Sequence, residues 1–210
     1  MNTIVGDVYK LIFLIYDCII NNIVKLRRRM TMKVLILNGS PRKGNTVTAV
    51  NALEKGMDAA GKFEIKHVIA NNMDVSPCIA CMACNCDSRC VFEDDTNDIM
   101  DLIEEADAII FATPVYWWGV TAQLKLIIDK MYCCFANLDK QPKKVGLIVI
   151  GEAEQDDPQY RIIPTQFECI SDCLGWDMVF AKTYTAGDAG DLAADEDAVK
   201  EIEGLWETLV

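Results

Sequence analysis

Lys33-Val34-Leu35-Ile36-Leu37-Asn38-Gly39-Ser40-Pro41-Arg42-Lys43-Gly44-Asn45-Thr46 is the stretch on which the fold turns. Its first five residues form a short apolar run, and a run of that length buried on both faces suits a parallel strand. Asn38-Gly39-Ser40-Pro41 ends it. From Asn45 the period changes, with Val47, Val50, Leu53 and Met57 recurring at helical spacing as far as Ala60 and Gly61 just beyond.

The same alternation continues outward. Glu64–Ile69 reads as a second strand, followed by a cysteine-rich loop and a helix over Asp98–Glu105. Ala108–Ala112 is a third buried strand ended by Thr113-Pro114, and Ala122–Phe135 a helix with Leu124, Ile127, Ile128 and Met131 inward. Val145–Ile150 is a fourth strand, Tyr160–Leu174 a helix started or kinked by Pro164, Met178–Thr183 a fifth strand, and Glu196–Leu209 a closing helix. Strands alternating with helices predict an α/β fold, a doubly wound parallel sheet with helices on both faces. In such sheets ligands bind beyond the carboxyl ends of the strands. The loops that matter are therefore 38–46, 70–95, 113–121 and 151–160.

Composition agrees with one globular domain. The 210 residues are 51% hydrophobic and 25% charged, enough to bury a core without disulfides or metals. A net charge of −12 argues against a nucleic-acid surface. Residues 1–30 run the other way, with five basic and two acidic groups, whereas residues 187–210 carry one basic and eight acidic. The domain therefore reads as 32–210, with residues 1–31 an N-terminal extension. That extension is either a start-site artefact, with translation beginning at Met30 or Met32, or a peripheral amphipathic helix. In the second case Asp7, Lys10, Asp17, Asn21, Lys25 and Arg28 form one polar stripe, and only then is membrane contact expected.

The first loop has the makings of a phosphate cradle. Gly39 and Gly44 have the spacing of a P-loop, but Asn45 stands where that loop needs lysine, and no Gly-x-Gly-x-x-Gly follows. What remains is a tight turn, hydroxyls and a helix N-terminus, which suit one terminal phosphate. Ser40, Asn45 and Thr46 can donate, and Arg42 adds a charge. The third loop, Pro114-Val115-Tyr116-Trp117-Trp118-Gly119, puts three adjacent aromatics where a flat ligand would cover them, unless one tryptophan turns into the core. A phosphate site and a flat heterocycle site on one sheet edge together suggest FMN.

Four stretches carry a family resemblance: Leu37–Thr46, Cys90-Val91-Phe92-Glu93-Asp94-Asp95, Ala106–Trp118 and Gln123–Lys130. With them the chain resembles the flavodoxin-like NAD(P)H-dependent FMN reductases through most of residues 32–210. The resemblance implies a five-stranded sheet of order 2-1-3-4-5, bound FMN and a homodimer or homotetramer. It implies that Ser40, Arg42, Asn45 and Thr46 hold the phosphate and that Pro114, Val115, Tyr116, Trp117, Trp118 and Gly119 line the isoalloxazine. Thr121 stands where many relatives carry proline, and the loop Gly151-Glu152-Ala153-Glu154 is more acidic than is typical.

Five of the ten cysteines lie between Cys78 and Cys90. Cys78-x2-Cys81-x2-Cys84 is the run ferredoxins use for a cubane, with Cys90 as the fourth ligand and Cys86 left over. Zinc also takes four thiolates, but in two separate knuckles. Among the family it resembles, the iron–sulfur flavoproteins share this spacing and carry a [4Fe–4S] cluster, while metal-free relatives also have cysteines in this loop. Cys133, Cys134, Cys169 and Cys173 read as buried apolar residues on helices. His67, the one histidine, has no spaced partner and reads as structural.

The chemistry is then left to the cofactor. The resemblance implies an oxidoreductase in which NAD(P)H reduces FMN and electrons pass to a quinone, nitroaromatic or flavin, or to ferredoxin through the cluster. The alternatives are a non-enzymatic electron-transfer flavoprotein and a cysteine-based redox or metal sensor. Unbridged clustered cysteines point to a reducing, cytoplasmic compartment.

Overall fold

The apolar run at Lys33–Leu37 is the core of β1, Met32–Asn38, whose last five residues are buried. The computed structural model of the chain describes residues 31–87 and 89–210, so the expected extension at 1–31 lies, but for Thr31, outside the described residues. After β1 come α1 (Asn45–Ala60), β2 (Phe63–Ile69), α2 (Thr96–Glu105), β3 (Ala108–Pro114), α3 (Ala122–Lys130) and α4 (Phe135–Leu138). Then follow β4 (Lys144–Gly151), α5 (Gln159–Leu174), β5 (Asp177–Thr185), α6 (Asp191–Ala194) and α7 (Glu196–Gly204).

The five strands form one sheet in the order β2-β1-β3-β4-β5, and β1–β3, β3–β4 and β4–β5 pair in parallel. Side chains alternate between the faces of a strand. Leu35, Leu37, Ile109, Phe111, Leu147 and Val149 therefore share one face, where they cluster with Ile99 and Ile103 of α2, Leu124 and Ile127 of α3, and Ile163 and Phe167 of α5. The Phe111 and Phe167 rings meet at 4.7 Å. The opposite face lies under α1, which packs on α7. Each large aliphatic side chain buried in this way stabilises the fold by roughly 1.5–3 kcal/mol relative to exposure.

Two elements depart from the expected pattern. The helix expected over 122–135 stops at Lys130, and a 3-10 turn over Met131–Cys134 carries Met131, Cys133 and Cys134 into the core. The closing helix ends at Gly204 and finishes as a 3-10 turn, Leu205–Leu209. Pro164 lies inside α5, and the helix runs through it. A buried lysine closes the end of α2: Lys143 Nζ donates to the Glu104 carbonyl at 3.0 Å and the Ala106 carbonyl at 2.6 Å. There a cation meets the negative end of the helix dipole. No described helix is long and apolar enough to cross a membrane.

Register places the loops. Asn38 pairs with Ala112, and Ala112 with Ile148. Beyond them Gly39 N–H donates to the Ala112 carbonyl, Val115 N–H to Ile150 and Ala186 N–H to Gly151, at 2.7–2.8 Å. Loops one, three and four and the loop after β5 thus leave the sheet along one edge.

Candidate functional site

The turn after β1 is braced from within. Buried Asn38 accepts the Ser40 N–H at 2.9 Å, and Ser40 Oγ donates to the Arg42 carbonyl at 2.8 Å. Gly39 is required by close approach: a Cβ there would stand 2.8 Å from Thr121 Oγ1 and 3.0 Å from Leu124 Cβ. Thr121 Oγ1 donates to the Gly39 carbonyl at 2.8 Å and accepts the Leu124 N–H at 3.3 Å, capping α3. Its hydroxyl therefore straps loop one to the end of loop three. Helix α1 opens at Gly44 without a side-chain cap, so its first N–H groups remain for a ligand.

Loop three is a two-residue hairpin. Tyr116 and Gly119 exchange backbone hydrogen bonds at 2.9 and 3.0 Å, and Trp117 and Trp118 both have positive φ, 49° and 59°. A type I′ turn needs this backbone and normally takes Asn-Gly there. Two tryptophans in it are strained, and such strain gathers at functional sites. Neither tryptophan turns into the core. Trp117 is 92% exposed, while Trp118 Nε1 donates to Asp157 Oδ1 at 3.0 Å, tying the hairpin to loop four.

Between these loops lies a cleft of about 420 Å³, within the range of small-molecule sites. Ser40, Arg42, Asn45, Thr46 and Pro114 to Trp118 all line it. Gly119 does not; its backbone closes the hairpin. Asn45 lines the cleft, but its side chain is engaged elsewhere. Its Nδ2 donates to the Ala186 and Asp188 carbonyls at 3.3 and 2.8 Å, and its Oδ1 accepts from Gly190 and Leu192 N–H at 3.1 and 3.4 Å. The expected side-chain donor is thus the tether of the loop after β5, and Asn45 has only its backbone N–H to offer.

That loop supplies Ala186 and Gly187 to the cleft, and loop four supplies Gly151, Glu152, Ala153 and Asp157. A Cβ at Gly151 would meet Gln159 Nε2 at 2.5 Å and Tyr160 Oη at 2.8 Å. Gln159, also in the wall, keeps a buried Nε2 without a partner, an orphan donor beside the cleft.

None of the described residues of the cysteine loop lines this cleft. Cys78, Cys81, Cys84 and Cys90 line a second, small cavity together with Cys133, Lys130 and Phe92. Cys86 is not among its lining residues; its carbonyl accepts the Ala136 N–H at 2.8 Å. The base of the loop is pinned. Asp74 N–H donates to Asp95 Oδ2 at 2.7 Å and Ser76 N–H to Asp94 Oδ2 at 2.9 Å. Asn97 accepts the Cys90 N–H at 2.9 Å and donates to its carbonyl at 3.0 Å. Burial pushes the Asp94 carboxyl up, but hydrogen bonds from Thr96 and Ser76 and the Lys130 ammonium outweigh it and hold it below the usual range.

Ala80, Met82, Asn85 and Cys86 have positive φ. Among the described residues no three ligating side chains close on one point, and the nine described cysteines are unbridged. Cys133 and Cys134 are buried as expected, but Cys169 and Cys173 are exposed, because α5 buries Tyr160, Ile163, Phe167, Ser171 and Leu174 instead. The Cys133 thiol is pulled down, first by its hydrogen bond with Cys134, whose own thiol the same contact and burial push up. His67 pairs with Glu54 at 3.1 Å, outside both cavities.

Residues 32–164 match the family model described as NADPH-dependent FMN reductase. The chain belongs to that family. Among proteins similar to this chain, an iron–sulfur flavoprotein of Archaeoglobus fulgidus is 40% identical over 101 residues, covering 48% of this chain and 46% of that protein. One from Methanocaldococcus jannaschii is 33% identical over 121 residues, covering 57% and 62%. The chain thus spans about half the length of the first of these relatives and about three fifths of the second. A solved NAD(P)H:quinone oxidoreductase from Methanothermobacter marburgensis shares the fold, with a TM-score of 0.60 at 19% identity over 85% of this chain and 92% of that one.

Proposed function

We propose that this FMN reductase family member is an FMN-dependent oxidoreductase that takes reducing equivalents from NAD(P)H. The observation that carries the reading is the cleft itself. It has an uncapped helix N-terminus with Arg42 at one end and a strained Trp-Trp hairpin at the other. In this reading Ser40, Arg42, Thr46 and the first N–H groups of α1 hold the phosphate, an anion at the positive end of a helix dipole. Pro114 to Trp118 flank the ring, and the orphan Gln159 amide is free to donate to its polar edge. When bound, FMN would supply the hydride and electron-transfer chemistry between NAD(P)H and an acceptor. The protein's part is to hold the ring, keep water from it through Tyr116, Trp117 and Trp118, and fix the hairpin through Asp157.

The thiol loop carries the donor set of a [4Fe–4S] cluster, four cysteines at ferredoxin spacing, although its sulfurs do not close on one point here. Cys78, Cys81, Cys84 and Cys90 share one cavity, and the run of positive φ supports backbone nests of the kind that surround iron–sulfur centres. In this proposal those four residues hold it, and it supplies one-electron transfer to a ferredoxin; without it the acceptors are quinones, nitroaromatics or free flavin. The unbridged thiols support a cytoplasmic setting. The apolar groove of Ile128, Met131, Tyr132, Phe135 and Ile170 supports a homo-oligomer.

The test is anaerobic rapid mixing of FMN-loaded protein with NADPH and with NADH, followed by the flavin's visible absorbance. Bleaching with either nicotinamide is expected. A flavin that binds but stays oxidised with both would leave a non-enzymatic electron carrier.

A further inference from the structure

Lys130, the last residue of α3, is 2% exposed. Lysine is almost never buried unless paired, because an unpaired buried ammonium costs several kcal/mol or more. Its surroundings are specific. Lys130 Nζ stands 3.3 Å from Cys90 Sγ, 3.8 Å from Asp94 Oδ2 and 4.2 Å from the centroid of the Phe92 ring. Lys130 is absent from the wall of the flavin cleft and present in that of the thiol cavity. Asp94 is already engaged by the Ser76 and Thr96 N–H groups, so the nearest partner of the ammonium is the sulfur.

Cys90 differs from its companions accordingly. Cys78 and Cys81 are exposed on the outer turn, whereas Cys90 is fixed at its N–H and carbonyl by Asn97 and at its sulfur by Lys130. We propose that Lys130 is the positioning residue of the thiol loop: it seats Cys90 as the anchored ligand and raises the reduction potential of the cluster. The proposal rests on the cluster reading above. Its physics is charge: adding an electron makes the cluster more negative, and a cation donating to a ligand sulfur stabilises the reduced form. Asp94, whose carboxylate stands 3.8 Å from the ammonium, acts in the opposite sense.

The test uses full-length protein made anaerobically with iron, and reads iron and sulfide content first and then the midpoint potential by EPR-monitored dithionite titration. Lys130→Met is expected to shift the reduction equilibrium about tenfold toward the oxidised form, ~59 mV lower for a one-electron couple. Lys130→Arg keeps the charge and is expected to stay near the parent. Asp94→Asn is expected to move the potential upward. If Lys130→Met fails to load a cluster, the sign of the Asp94→Asn shift decides. A parent protein without iron overturns the cluster reading. An iron-loaded parent with Lys130→Met at the same potential, or with Asp94→Asn shifted downward, overturns the role of Lys130 alone.

Discussion

Replacing Trp117 by glycine separates what the hairpin costs from what it does. Trp117 is held at φ 49° and is 92% exposed. An L-residue in that conformation is disfavoured by roughly 1–2 kcal/mol, and so exposed an indole contributes little packing in return. Glycine removes the strain but adds about 0.5–1 kcal/mol of unfolded-state entropy. Loss of the ring contact with Trp118, 6.1 Å between centroids, trims the gain further. The balance is a stabilisation of about 0.5 kcal/mol, which for a domain of this size raises Tm by roughly 1–2 °C.

FMN moves the other way. Losing one stacked aromatic, worth about 0.5–1.5 kcal/mol, weakens binding roughly 2- to 12-fold. Trp118→Gly is the control: Trp118 is tied to Asp157, so that variant loses stability as well as affinity. Calorimetry without flavin and fluorescence quenching with it measure the two quantities. A flavin-free Trp117→Gly protein that melts below the parent, or one that binds FMN unchanged, would refute the reasoning.

Gly39→Ala drives a methyl group into Thr121 and buried Leu124, and is expected to cost about 1–3 kcal/mol, read as a lower denaturation midpoint; an unchanged midpoint would contradict the packing. The Asp94 carboxyl lies below its ordinary 3.8, so its anchoring of the thiol loop is complete above pH 3.8 and is lost as pH falls through the lower folded value. Hydrogen exchange at the Ser76 and Thr96 amides checks this, and loss of protection well above pH 3.8 would count against it. On the cluster proposal, Cys78→Ser, Cys81→Ser, Cys84→Ser and Cys90→Ser are each expected to leave the protein without iron but with FMN bound, whereas Cys86→Ser changes neither; iron analysis and the flavin spectrum decide.

What the sequence carried is the alternation. The apolar runs of β1, β3 and β4 are buried on both faces and read directly, and α1 runs over Asn45–Ala60 with Gly61 at its end in the left-handed conformation. Strand order came with the family resemblance, because the pattern fixes which segments are strands but not their neighbours. The cleft was half legible. Gly-Ser turns and adjacent aromatics announce loops one and three, but the engagement of the Asn45 amide with residues 186–192 is a contact over more than a hundred residues, with no local signal. Lys130 and Lys143 were missed because a lysine on a helix or before a strand reads as surface; only tertiary partners make it buried. Cys169 and Cys173 could have been read correctly from spacing, since they fall off the Tyr160–Ile163–Phe167–Leu174 stripe that α5 buries.

The central claim is that the cleft between α1 and the Trp117–Trp118 hairpin takes a flavin mononucleotide by its phosphate. Calorimetric titration of the flavin-free protein with FMN and with riboflavin, repeated on Arg42→Ala/Thr46→Ala, tests it most directly. One FMN per chain is expected, bound at least about tenfold more tightly than riboflavin, a difference of ~1.4 kcal/mol, with that preference collapsing in the double variant. Equal affinity for the two flavins, or a preference that survives the double substitution, would contradict the account.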